Sequence, residues 1–127
     1  MERTRILVVD DELVIRESLT GWLKRDGYHV ENVSSGEKAI DILKTKSFDL
    51  LLLDIQMDGI SGMDVLKHIQ EHYSDIDVIM VTAFGSIPSA VQAMKYHAFD
   101  YLLKPFDPEE LGVLIQKLIH HRAKIKE

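Results

Sequence analysis

The sequence predicts an α/β fold: a five-stranded parallel sheet covered on both faces by helices. Three observations carry this. Short apolar runs alternate with stretches of helical spacing, strand then helix, five times along the chain. The runs at Ile6, Leu50 and Val78 are apolar on both faces, as strands buried beneath helices on each side must be. The length of 127 residues, 46% hydrophobic and 28% charged, suits one domain with a full core.

The elements follow in order. The first strand is Arg5-Ile6-Leu7-Val8-Val9. The helix after it carries Leu13, Ile15, Leu19, Trp22 and Leu23 on one stripe, and Gly27 stops it as a C-terminal cap. The run His29-Val30-Glu31-Asn32-Val33 alternates with polar residues, which marks an edge strand. Ser34 with Glu37 has capping-box spacing and opens the second helix. Leu50 to Leu53 form the third strand, and Ser61 with Asp64 opens the third helix. Val78-Ile79-Met80-Val81 and Tyr101-Leu102-Leu103 are the fourth and fifth strands. Asp107-Pro108-Glu109-Glu110 starts the last helix with a capping Asp, Pro in the first turn and acids beside it.

Short loops and right-handed crossovers turn this order into a doubly wound sheet, flavodoxin-like, with strand order 2-1-3-4-5. In such sheets a ligand sits beyond the carboxyl ends of the strands where the order reverses, here between strands one and three.

Composition excludes several classes. There is no cysteine, so disulfides, thiolate zinc sites and thiol catalysis are out. The formal charge of -6 argues against this domain gripping nucleic acid. No apolar run approaches the ~20 residues of a membrane span, and no signal peptide is evident; a cytoplasmic location is expected.

The strand ends carry the chemistry. Strand one ends in Asp10-Asp11-Glu12, strand three in Asp54, strand four in Thr82 and strand five in Lys104. Clustered carboxylates repel one another, and a hard divalent cation such as Mg²⁺ relieves that repulsion. A magnesium site of this kind suits phosphoryl transfer, with Asp54 as nucleophile, Lys104 and the Thr82 hydroxyl facing phosphoryl oxygens, and the small Ala83 leaving room for a donor. Each residue alone has a plainer reading: Asp10, Asp11 or Glu12 as helix caps, Thr82 and Lys104 as structural or solvated groups. Their convergence on one sheet edge favours the site.

Together, Ile6-Leu7-Val8-Val9-Asp10-Asp11-Glu12, Leu52-Leu53-Asp54-Ile55-Gln56-Met57, Val81-Thr82-Ala83 and Ala98-Phe99-Asp100-Tyr101-Leu102-Leu103-Lys104-Pro105-Phe106 closely resemble the receiver domains of bacterial two-component response regulators. The resemblance covers nearly the whole chain. It implies phosphorylation of Asp54 by a sensor histidine kinase, with Mg²⁺ held by Asp11, Asp54 and the backbone carbonyl of Gln56, and by Asp10 through water. It implies that Thr82 and Lys104 hold the phosphoryl oxygens, that Tyr101 is the aromatic switch, and that the Lys104-Pro105 bond is cis. The domain would catalyse its own phosphorylation and slow dephosphorylation, without being an enzyme on other substrates. The state would be relayed to the face of the fourth helix, fifth strand and fifth helix, a candidate homodimer surface, and from there to transcription through an output domain. Thr82-Ala83-Phe84-Gly85-Ser86 looks most like receivers of enhancer-binding activators of the nitrogen-regulation class. Two positions depart from the family pattern: Asp58 stands for a usual Pro and His97 for a usual Gly. Gln56 and Phe84 flank the site at positions associated with phosphoryl lifetime.

The receiver is expected over residues 1–121, with 122–127 a helical extension leading toward an output domain; Lys117, Arg122, Lys124 and Lys126 turn that helix basic. His68 and His72, four apart, read as a surface pair, with a shared metal as the sharper alternative. Three other functions compete. A magnesium-dependent phosphatase would need its two aspartates one residue apart rather than adjacent. A flavin carrier would need a hydroxyl- and Gly-rich loop after strand one. A degenerate receiver that binds partners without phosphorylation is disfavoured because all the site residues are present.

Overall fold

A computed structural model describes residues 3–83 and 87–126. Ten elements alternate: β1 Arg5–Val9, α1 Leu13–Arg25, β2 His29–Val33, α2 Gly36–Leu43, β3 Leu50–Leu53, α3 Gly62–His72, β4 Asp77–Thr82, α4 Ile87–Lys95, β5 Asp100–Leu103 and α5 Pro108–Lys126. All pairings are parallel and the order is β2-β1-β3-β4-β5, with the predicted edge strand β2 at one margin.

The two-sided apolar strands explain the layering. Successive side chains point to opposite faces. Leu7, Val9, Leu51 and Leu53 therefore join the core beneath α2, α3 and α4. Ile6, Val8, Leu50 and Leu52 join a second core with Leu19, Leu23, Leu111, Ile115 and Leu118 from α1 and α5.

Helix ends follow local chemistry. Gly27, at φ 95°, closes α1: its N–H donates to the Lys24 carbonyl and that of Tyr28 to Leu23, the paired bonds of a left-handed cap. His97, at φ 65°, closes α4 with the same two bonds, to Met94 and from Ala98 to Ala93. Ser61 caps α3 by accepting from the Asp64 N–H at 3.2 Å, as expected.

Two sequence expectations need correction. α2 is capped by Ser35, whose hydroxyl accepts from the Lys38 N–H at 3.1 Å, and not by Ser34, whose hydroxyl accepts from the Lys38 ammonium. Glu37 accordingly makes no capping box and accepts instead from the Ile60 N–H at 3.3 Å. Leu13 does not share the α1 core stripe: it is 56% exposed, two residues from Ile15 and so on another side of the helix.

Arg122 does not simply continue the helix into solvent. Its guanidinium donates to the carbonyls of Asp49 and Asp75 and to the Asp77 carboxylate at 2.7 Å, tying α5 to the amino ends of β3 and β4.

Candidate functional site

The carboxyl ends of β1, β3, β4 and β5 meet at the margin where the strand order reverses. Sheet pairing continues one step beyond the strands: the Asp54 N–H donates to the Val9 carbonyl, and the Lys104 N–H to the Thr82 carbonyl at 2.9 Å. The backbone therefore delivers Asp10, Asp54, Thr82 and Lys104 to one place. Asp10, Asp54 and Thr82 are buried.

Lys104 organises the charges. Its ammonium pairs with Asp10 Oδ2 and lies 3.1 Å from Asp54 Oδ2. The other oxygen of each carboxylate is tethered by the backbone: Asp54 Oδ1 accepts from the Gln56 N–H at 3.2 Å, and Asp10 Oδ1 from the Glu12 N–H at 2.9 Å. Arg16, from the first turn of α1, donates to the Asp10 carbonyl at 3.0 Å. The Lys104-Pro105 peptide is cis, as the resemblance implied.

Burial pushes the Asp10 carboxyl above its ordinary range, a rise that outweighs the hydrogen bonds from Lys104 and the Glu12 amide. Burial alone would lower Lys104, but its bond to Asp10 and the charges of Asp10 and Asp54 prevail and hold it above its ordinary value. One cation thus serves two buried carboxylates, and negative charge is left over.

The plainer reading of the acidic run as helix caps accounts for little of it. Glu12 occupies the N-cap of α1 without a side-chain cap bond. Asp11 and Glu12 are exposed, and their carboxylate oxygens lie with that of Asp10 within 4.8 Å of one another. All-oxygen donors at this spacing suit a hard ion such as Mg²⁺. Gln56 and Ala83 are exposed at the rim, and Tyr101 is half-buried on β5, its N–H donating to the Asp100 carboxylate. Phe84, Gly85 and Ser86 lie outside the described residues.

Gly62 holds the β3–α3 connection against the site. A Cβ there would come within 1.9 Å of the Asp54 carbonyl oxygen, so only glycine lets α3 begin so close to the end of β3. Sequence reasoning overlooked Gly62, since a glycine inside a helical pattern gives no hint of what it faces. It also overlooked Arg16, and a groove of about 440 Å³ beside Lys104 lined by Val14, Ile15, Trp22, Ala83 and Phe106 among others. Val14, apolar but 75% exposed on α1, was the available signal for the groove.

Comparison with known proteins decides what this arrangement belongs to. Residues 6–116 match the response regulator receiver domain family. The chain belongs to it. Among curated relatives, this receiver is 39% identical to the DNA-binding transcriptional regulator NtrC of Klebsiella pneumoniae and 33% to the regulatory protein AtoC of Escherichia coli. These alignments cover 95% and 97% of the chain but 26% and 27% of those proteins, so the chain spans about a quarter of their length. Among solved structures, it superposes on the signal receiver domain of a LuxO repressor protein from Vibrio parahaemolyticus with TM-score 0.91 at 30% identity, covering 98% of this chain and 95% of that one. It also matches the response regulator TrrA from Thermotoga maritima, solved in complex with Mg²⁺ and BeF, with TM-score 0.83 at 37% identity, covering 91% and 98%.

Receivers are the phosphorylation-dependent signalling domains of two-component response regulators, served by histidine kinases. The described part of this receiver has no helix long and apolar enough to cross a membrane.

Proposed function

We propose that Asp54 is the phosphoacceptor of this receiver and that its phosphorylation by a sensor histidine kinase switches the α4-β5-α5 face. The observation that carries the proposal is the pair of buried carboxylates, Asp10 and Asp54, at the topological switch point, bridged by Lys104 with Asp54 Oδ2 3.1 Å from its ammonium.

In the transfer, an Asp54 carboxylate oxygen forms a P–O bond as the P–N bond of a kinase phosphohistidine breaks; the bonding pair returns to a ring already protonated on its other nitrogen, which leaves as neutral imidazole. The Gln56 amide holds one oxygen of Asp54, so the carboxylate plane is fixed before the donor arrives. Lys104 then balances charge on one phosphoryl oxygen, and the Thr82 hydroxyl donates to another. Asp11, Asp54 and the Gln56 carbonyl, with Asp10 through water, would hold Mg²⁺, which supplies charge neutralisation on the moving group. The exposed Ala83 leaves the donor's path open, and the apolar groove from Val14 to Phe106 offers a seat for the kinase segment bearing the histidine.

The relay runs through paired backbone. Thr82 is in register with Leu103, and Met80 with Tyr101, so a Thr82 drawn toward the phosphoryl group acts directly on β5. The phosphoryl group supplies the differential contact that a shift between two states requires. Transcription control through an attached output domain, in the cytoplasm, is the setting that relatives such as NtrC and ZraR suggest. On this reading Arg122 still belongs to the receiver, the segment after it leads onward, and the receiver itself touches no nucleic acid.

Incubation with Mg²⁺ and acetyl phosphate, followed by intact mass, tests this. One phosphoryl group gained by the native protein, and none by Asp54→Asn or in chelator, is expected. Phosphorylation of Asp54→Asn to the native level would move the acceptor elsewhere and end the proposal.

A further inference from the structure

The lower half of α3 carries a second constellation that the phosphoryl site does not use. His68-Ile69-Gln70-Glu71-His72 sets two histidines four apart with an acid between them, so both imidazoles leave the helix on one face, one turn apart. The ring centroids are 4.4 Å apart and the rings are tilted by 52°. Two imidazoles bound to one ion through nitrogens about 2.0–2.1 Å from it hold their centroids roughly 4.5–5 Å apart, so the pair is already near chelating separation.

We propose that His68 and His72 form a two-histidine site for a borderline transition-metal ion of the Zn²⁺, Ni²⁺ or Cu²⁺ type. Three features support it. The backbone is fixed: Met63, Val65, Leu66 and Ile69 anchor α3 in the core, so binding freezes only side-chain rotamers. The histidines are reachable, with His72 exposed and His68 half-exposed. Charge is tolerable, because Glu71 lies 3.9 Å from His72 Nε2 and Lys44, a cation whose charge reaches His68, is already paired with Asp41 at 3.5 Å.

Imidazole nitrogens select such ions over Mg²⁺, which prefers the carboxylates at the far edge of the sheet. Among the described residues, Asp10, Asp11 and Glu12 form the single group of three or more clustered ligands, so water completes the coordination at α3. The site is therefore one of capture rather than of hydrolysis. The adjacent His120-His121 pair serves as an internal control, since neighbours in a helix point apart.

The test is a Zn²⁺ titration of the whole protein in excess Mg²⁺, followed by NMR of the six histidine rings. Signals assigned by His68→Gln and His72→Gln are expected to shift together and saturate, while those of His29, His97, His120 and His121 stay in place. Each variant should need about 10–100-fold more Zn²⁺ for the remaining ring to respond, at least the cost that even outer-shell changes bring. Circular dichroism of both variants should match the native protein, as the substituted rings face solvent. An unchanged Zn²⁺ response in His72→Gln, a parallel shift of every ring, or no shift at all would overturn the proposal.

Discussion

At the scale of single residues, the proposed phosphoryl site is an electrostatic compromise held by Lys104. Two buried carboxylates share one ammonium, so removing it leaves both without a cation. Lys104→Met is expected to lower stability at neutral pH without Mg²⁺ by about 3–5 kcal/mol, the scale for breaking a buried pair. The pH dependence has a definite sign. Asp10 lies above its ordinary 3.8 in the folded state, so it favours folding increasingly as pH falls through that raised value. The deficit of Lys104→Met should therefore shrink in urea melts taken below neutral pH, as the orphaned Asp10 carboxyl takes up a proton. Lys104 itself, raised above 10.5, contributes fully below that pH, and its contribution is lost as pH climbs through the higher folded value. A deficit that grew on acidification would refute the pairing. Gly62→Ala poses a different problem at the same site. Its methyl group would meet the Asp54 carbonyl at 1.9 Å, and the obstacle is backbone, which does not swing aside. A loss of roughly 1–3 kcal/mol or more, with slower phosphorylation from acetyl phosphate, is expected from urea melts and intact-mass time courses.

At the scale of elements, the two left-handed caps make opposite predictions from one principle. Gly27 has nothing within 4 Å of where its Cβ would lie, so space alone would allow any residue there. Its φ of 95° does not, and Gly27→Ala is expected to cost about 1 kcal/mol. His97 bears that strain already at φ 65°, so His97→Gly should raise stability by about 0.5–1 kcal/mol, a shift of a few degrees in Tm. Equal signs for the two substitutions would show that something other than φ governs these caps. The elements themselves were legible because each strand is a short apolar run and each helix a stripe. What escaped were details decided by neighbours. Adjacent Ser34 and Ser35 satisfy a capping rule equally well, and only the path of the chain out of β2 chooses Ser35. Glu37 was diverted by the nearness of Ile60, a residue 23 positions away.

At the scale of the whole molecule, periodicity fixes which residues end a strand, and parallel topology then brings those ends together. Asp10, Asp54, Thr82 and Lys104 could thus be placed at one edge without coordinates. Their partners could not, because the pairing of Lys104 with Asp10 spans 94 positions, and the return of Arg122 to Asp77 depends on where α5 crosses the sheet. The same geometry carries the last prediction. Val91 on α4, Leu103 on β5 and Val113 on α5 are 61%, 52% and 54% exposed, one exposed apolar side chain on each element of the proposed output face. Leu103 is in register with Thr82, so a change at the phosphoryl site reaches this face without crossing another element. Two copies meeting through this same face would form a two-fold dimer. Phosphorylation with acetyl phosphate and Mg²⁺ is expected to move the light-scattering mass from one chain toward two, and Val113→Glu should block that shift while leaving phosphorylation intact. A fully phosphorylated native protein that stayed at the mass of one chain across the accessible concentration range would assign the face to a different partner. A dimer that persisted in Val113→Glu would place the contact on another surface.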